Sequence, residues 1–262
     1  MPFIGSIQGV FGYGRSISNP PFSPTTIANL QVWLDGNDPN GTGVTPSNGT
    51  SISTWTDKSG NSRNGVNAAT AATVVTNALN GNAVLNCPGT ARYNITYSSI
   101  PASYSAFCVY VITTNDGGYQ RVLHGQVDTV LFMGVQGGQN IATFVGNQFS
   151  WNDTNANSPT VSAFNNYRIV DMINNSSTTQ LLPYADGTAQ NTKTGATITF
   201  NNLVVASHSD NTQRLKGRIA ELLFYTGVLS TTSRQQVEGY LAWKWGLQGN
   251  LPAGHPYKNA PP

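Results

Sequence analysis

Two glutamates, three histidines and one oxygen-rich loop are the groups in this chain that could do chemistry. Retaining glycoside hydrolysis needs two carboxylates about 5 Å apart, one as nucleophile and one as acid. The glutamates are Glu221 and Glu238. Glu221 lies in a strand-like run with Ile219 and Leu223 at the alternate positions, and Glu238 lies in a helical run. No second acid stands beside Glu221, so the pair that hydrolysis requires is missing and no catalytic residue is assigned. Glu221 then reads as a structural carboxylate paired with an Arg or a backbone N–H, or as a ligand-binding acid. In the segment WTDKSGN, Asp57, Ser59 and Asn61 alternate oxygen-bearing side chains around Gly60. That pattern suits an Asx-turn capped by Asp57, or a weak calcium loop with only one carboxylate. His124, His208 and His255 show no metal-ligand spacing, and no phosphate-binding Gly loop or nucleophile elbow is present. No cofactor and no metal site are expected.

Aromatic side chains on turns can stack on sugar rings. Tyr119, Phe149 and Trp151 lie in turn-rich segments, and Trp151 in FSWNDTN is the sugar-platform candidate. Trp33, Trp55, Trp243 and Trp245 have core or helix-packing roles available to them.

These groups must be positioned by a β-rich body. Short apolar or alternating runs at 30–35, 105–113, 120–124, 129–135, 141–145, 167–173, 180–185, 196–200, 203–207 and 216–225 alternate with turn signals such as Asp116-Gly117-Gly118 and Asp186-Gly187. Many short strands at this spacing predict an all-β fold of two stacked antiparallel sheets. The run at 107–112 is apolar throughout and predicts a central strand. One helix follows the strand at 216–225. Ser230, Thr231 or Thr232 supplies its N-cap, with Thr232 and Gln235 spaced as a capping box. Val237, Tyr240, Leu241 and Trp245 form one buried stripe, and Gly246 stands at the left-handed C-cap position. This helix is expected to cover one face of the preceding strand, with residues 251–257 locking over it.

Charged residues make up 9% of the 262 residues, against about a quarter in an average globular protein. The hydrophobic fraction of 39% is ample for a core. A net charge of +2 without a basic cluster argues against nucleic-acid binding. No apolar run approaches a membrane span, and MPFIGSIQG lacks the basic and apolar regions of a secretory signal. Cys87 and Cys108 read as two buried free thiols, or as a disulfide if their strands are neighbours. Residues 1–24 form a glycine- and aromatic-rich opening that ends in prolines. It reads either as an arm that docks on a partner or as an edge strand of its own domain.

The segments LQVWLDGNDPNG, ISTWTDKSGNSRNG and GRIAELLFYTGVLSTTSRQQVEGYLAWKWGL resemble laminin-G-like domains of the concanavalin A-like lectin/glucanase group. The closing EGYLAWKWGLQGNLPAGHPY and the opening MPFIGSIQGVFGYGR resemble those of virion proteins of large DNA viruses and some phages. The resemblance spans roughly residues 28–257 and implies a two-sheet jelly-roll sandwich with one C-terminal helix, residues 25–262 forming the domain and 1–24 the arm. The family does not imply one function, because its fold hosts lectins, hydrolases, adhesion modules and structural proteins. The missing acid pair, the glycine-and-aromatic opening, the low charge and the virion-like closing segment together give the expectation of a non-enzymatic virion protein: capsid-associated, decoration or fibre. Its partners would be other virion proteins in an oligomer or lattice, reached through the arm. A carbohydrate-binding module that attaches to host glycans is the alternative.

Overall fold

A computed structural model describes residues 22–126, 131–135, 141–145, 148–149, 163–195 and 197–262. The strands among these residues are β1 (Leu30–Asp35), β2 (Ser51–Ile52), β3 (Thr54–Trp55), β4 (Gly65–Asn67), β5 (Ala72–Leu79), β6 (Asn82–Pro88), β7 (Tyr93–Ile95), β8 (Tyr104–Ile112) and β9 (Gln120–Gly125). They continue with β10 (Phe132–Val135), β11 (Ile141–Val145), β12 (Gln148–Phe149), β13 (Arg168–Asn175), β14 (Gln180–Ala185), β15 (Thr188–Ala189), β16 (Lys193–Thr194), β17 (Leu203–Val205) and β18 (Lys216–Thr226). One α-helix, α1 (Thr231–Trp245), follows.

The strands form two antiparallel sheets, as the turn spacing predicts. The first runs β15-β14-β13-β8-β18-β6-β5-β2, with β1 also on β18 and β16 on β14. The second runs β12-β11-β10-β9-β17-β7-β4-β3. Every residue of β8 is buried, which fits its continuous apolar sequence and its place between β13 and β18. Val32, Leu34, Trp55, Tyr93, Tyr110, Leu222 and Phe224 belong to the core between the sheets. The 196–200 run does not form the expected strand; its described part makes a single bridge, Ile100 to Phe200.

A second apolar layer lies on the outer face of the first sheet. There Phe107, Val109, Ile169, Leu223 and Tyr225 pack against Val237, Leu241, Ala242 and Trp245 of α1. Burying each large helix side chain contributes about 1.5–3 kcal/mol. The helix starts at Ser230, whose hydroxyl accepts from Ser233 N at 3.1 Å. Thr231 and Thr232 are already helical, so the cap is Ser230 and the Thr232–Gln235 box does not form. Gly246 ends the helix at φ 71°. Trp243, off the buried stripe, donates its indole N–H to the Tyr257 carbonyl at 2.8 Å, which ties the tail to the helix. Phe22 and Pro24, from the end of the glycine-rich opening, also touch this layer. The Phe22 ring lies 5.8 Å from that of Tyr240, and the Pro24 carbonyl accepts from Tyr225 Oη.

Cys87 pairs with Gly217 and Cys108 with Leu222, so β18 runs between the two cysteine strands and both thiols are free. No helix among the described residues is long and apolar enough to cross a membrane.

Candidate functional site

Both glutamates of this chain, with Asp35 and Asp171, gather beneath α1. A bulge in β18 decides how. Between Ile219 and Glu221 the register with β8 shifts, leaving Ala220 as the extra residue. Ile219 therefore faces the inter-sheet core, while Ala220 and Leu223 belong to the helix-side layer. A strict two-residue alternation places Glu221 with both Ile219 and Leu223; the bulge breaks that pattern and turns Glu221 toward the helix.

Glu221 is fully buried and meets four donors. Trp33 Nε1 and Tyr240 Oη donate to Oε1 at 2.6 and 2.8 Å. Trp245 Nε1 donates to Oε2 at 2.7 Å, and Lys244 Nζ lies 2.8 Å from the same oxygen. The carboxylate is structural, but its partners are a lysine, two indoles and a phenol rather than the expected Arg or backbone N–H. Burial raises its pKa against the pull of Lys244. Lys244 also bridges Asp35 at 2.9 Å, and Lys58 joins Asp35 to Asp38 at 3.1 and 2.9 Å. At Asp35 burial opposes ionisation, yet Lys244 and Lys58 together hold its pKa below the ordinary value.

A second cluster lies further along the helix. Glu238 is fully buried, paired with Arg234 one turn earlier and with His255 Nε2 at 2.9 Å. Its carboxyl faces that of Asp171 on β13, also fully buried. Neither Asp171 oxygen meets an N–H or O–H donor. Burial, then the Glu238 charge, pushes the Asp171 pKa well above the carboxylate range, against the pull of Arg234. The chain thus does contain a close carboxyl pair, contrary to the expectation from its glutamates alone. Asp171 was missed because it is an isolated aspartate in an apolar strand, far in sequence from Glu238. The pair is fully buried beneath α1.

Asp57 caps its own loop. Its Oδ1 accepts from Trp33 N and Ser59 N, each at 2.9 Å, and its Oδ2 accepts from Ser59 Oγ at 2.8 Å and Arg63 N at 2.9 Å. With both oxygens engaged by donors, the Asx-turn is the geometry that forms. Asn61 donates to the Leu30 carbonyl at 2.9 Å, which fastens the loop to β1. No group of three or more His, Cys, Asp or Glu residues placed to hold a metal occurs among the described residues. The fold does bring two histidines together. The His124 and His208 rings lie 4.5 Å apart, and burial, Arg121 and His208 together lower the His124 pKa to about 2.

Trp55 and Trp245 are core residues, as expected, and Trp33 packs against the helix-side layer. Trp151 and the Phe149 side chain lie outside the described residues. Tyr119 lies on a rim of the sandwich, where loops following β6, β8 and β17 meet. These loops form an open cleft of about 520 Å³ whose lining includes Asp116, Tyr119, Asn211, Arg214 and Lys216. Ligand pockets commonly span about 300–1,000 Å³. A second depression, lined by Arg92, Asn94 and Asn202 among others, holds about 100 Å³ and falls below that range.

No protein-family model matches the chain, and no curated protein matches it in sequence. Solved structures do. Trypanosoma rangeli sialidase in complex with sialic acid matches with a TM-score of 0.52 and 12% identity, over 83% of this chain and 33% of that one. The receptor-binding domain of botulinum neurotoxin C/D mosaic serotype matches with a TM-score of 0.52 and 14% identity, over 80% of this chain and 51% of that one. The chain spans between a third and about half of those proteins. At this identity the likeness is one of fold, a two-sheet β-sandwich.

Proposed function

We propose that this chain is a non-enzymatic structural protein of a virion, a capsid-associated, decoration or fibre component built on a lectin-like sandwich. The observation that carries the non-enzymatic half is the fate of its acids. Glu221, Glu238 and Asp171 are fully buried beneath α1, and the two glutamates are engaged by donors on the helix itself. The virion half rests on the likeness of the opening and closing segments to those of virion proteins, and on a low charge that suits a surface packed into an assembly. Residues 1–24 serve as the anchor. The test is incorporation: purified particles are probed for the full chain and for a chain lacking residues 1–24. The full chain is expected in the particles and the truncated one is not. Equal incorporation of the two would remove the arm as anchor, and absence of both would remove the virion role.

A second reading is carbohydrate binding, which would attach the particle to host glycans. The open polar cleft beside Tyr119 favours it, as does the fold shared with a receptor-binding domain.

A further inference from the structure

We propose that Lys244 and Asp35 join in an intramolecular amide bond that the chain forms by itself, with Glu221 as the proton-transfer group. The bond ties β1 covalently to α1.

Three groups of the right chemistry meet in one buried place. Asp35 ends β1 and stands opposite Glu221 in the register of β1 with β18. Lys244, in the last turn of α1, reaches both carboxyls. Its Nζ lies 2.9 Å from Asp35 Oδ2 and 2.8 Å from Glu221 Oε2. A nucleophilic nitrogen is thus held against a carboxyl by two packed elements, and such positioning is worth effective concentrations of about 10⁵–10⁸ M. Asp35 and Glu221 are buried, and the Lys244 side chain is 19% exposed. Trp33, Tyr240 and Trp245 surround the Glu221 carboxyl, and the Trp245 ring centroid lies 5.1 Å from Lys244 Nζ. An aromatic enclosure that excludes water favours condensation over hydrolysis.

Other lysine–acid contacts lack part of this set. Lys216 and Asp116 are open to solvent on both sides. Lys58 bridges Asp35 and Asp38 but makes no ion pair with Glu221 among the described residues.

The ion pair already holds every atom that the reaction needs. Glu221 takes one proton from the Lys244 ammonium, a transfer helped by the burial that raises the Glu221 pKa. The neutral amine attacks Asp35 Cγ and the C–N bond forms. Asn37 N–H, 3.0 Å from Asp35 Oδ1, holds the oxygen that stays as the amide carbonyl. Oδ2, with the Lys58 ammonium at 3.1 Å, is the leaving oxygen. It receives the proton held by Glu221 and a second from the nitrogen, the C–O bond breaks, and water departs. One ammonium and one carboxylate become one amide and one water, with no oxidant or co-reactant. Glu221 ends as it began and accepts from the new amide N–H. The event happens once per chain and has no separate substrate, so it stands apart from the non-enzymatic reading and leaves it intact.

The test is the intact mass of the purified full chain, measured after denaturation. The expected mass is one water below that of the sequence. A tryptic digest should contain a branched peptide that joins the segment holding Asp35 to the segment holding Lys244. Lys244→Arg keeps the charge but should restore the full mass. It should also lower the unfolding temperature by about 10–20 °C, the scale of a covalent bridge closing a long loop. Glu221→Gln should restore the full mass in freshly purified protein. Asp35→Asn should still give the branched peptide, now with loss of ammonia, which an ion pair alone does not produce. Lys216→Arg, at the solvent-open pair, should leave the loss of water in place. A wild-type chain that keeps its full mass after prolonged incubation in the folded state would overturn the proposal. So would a loss of water that survives Lys244→Arg. If Lys244→Arg or Glu221→Gln fails to fold, the wild-type mass and the branched peptide decide the matter alone.

Discussion

Asp171 on β13 and Glu238 on α1 bring two fully buried carboxyls face to face across the joint between sheet and helix. Glu238 is satisfied by Arg234 and His255, while Asp171 has no N–H or O–H donor. The Arg234 guanidinium also stacks over Tyr184, 3.8 Å from the ring centroid, so the helix is fastened to β14 as well. Proton-bearing Asp171 is the form this joint accommodates.

That arrangement sets a pH dependence. The Asp171 pKa is raised in the folded chain. Its contribution is therefore fully present below the ordinary carboxylate pKa and is lost as pH rises through the folded value. Asp171→Asn keeps the shape without the charge. It should stabilise the chain at pH 8 by roughly 1–3 kcal/mol and give little gain near pH 4. Thermal unfolding of both proteins across that range checks this; parallel pH profiles would show that Asp171 does not titrate against the fold.

Glu221 is predicted to behave as the keystone of the other cluster. Glu221→Gln removes the charge facing Lys244 and sets an amide N–H₂ against an indole N–H or the lysine. Breaking a buried pair on one side costs about 3–5 kcal/mol. Urea unfolding followed by tryptophan fluorescence should show a midpoint shift of that size, because Trp33 and Trp245 both report on this carboxylate. A shift below about 1 kcal/mol, the scale of an exposed pair, would mean the cluster is not coupled to folding.

How much of this was legible follows from the physics of each element. Strands with clean alternation or unbroken apolar sequence, such as β1 and β14, carry their own signal. The strands at 51–52 and 54–55 are two residues each and carry none. The helix was legible through Val237, Leu241 and Trp245, although Arg234 and Glu238 are buried on it as well and dilute the apolar stripe. The bulge at Ala220 was not legible, because nothing in GRIAELLFYT marks an extra residue, and with it went the direction of Glu221. The Asp171–Glu238 pair joins a strand to a helix distant in sequence, and only the fold brings them together. The resemblance supplied the sandwich; the rim cleft needed three loops assembled in space.

The cysteines give a simpler expectation. Both thiols are fully buried and separated by β18, and burial pushes the Cys87 thiol up to about 12. Neither should react with a maleimide in the native state, both should react in urea, and the unfolding temperature should be the same with and without reductant. A reductant-dependent drop would reveal a disulfide that this register does not permit.

The tail over the helix can be tested by the sign of one mutation. Gly239 sits inside α1, where alanine is normally favoured by about 1 kcal/mol. A Cβ there would lie 2.6 Å from Tyr257 Cβ and 2.7 Å from its Cγ. The obstruction is the root of the side chain, not a flexible end, and the tail backbone is held by the Trp243 indole. Overpacking of this kind costs about 1–3 kcal/mol, so the clash should match or exceed the propensity gain. Gly239→Ala is expected to lower stability or leave it flat, and to loosen the tail so that limited proteolysis cuts after residue 250. With Tyr257→Gly in the background the clash is gone, and the same Gly239→Ala change should then raise stability by about 1 kcal/mol. A stabilising Gly239→Ala in the otherwise native chain would show that residues 251–257 do not press on the helix as described.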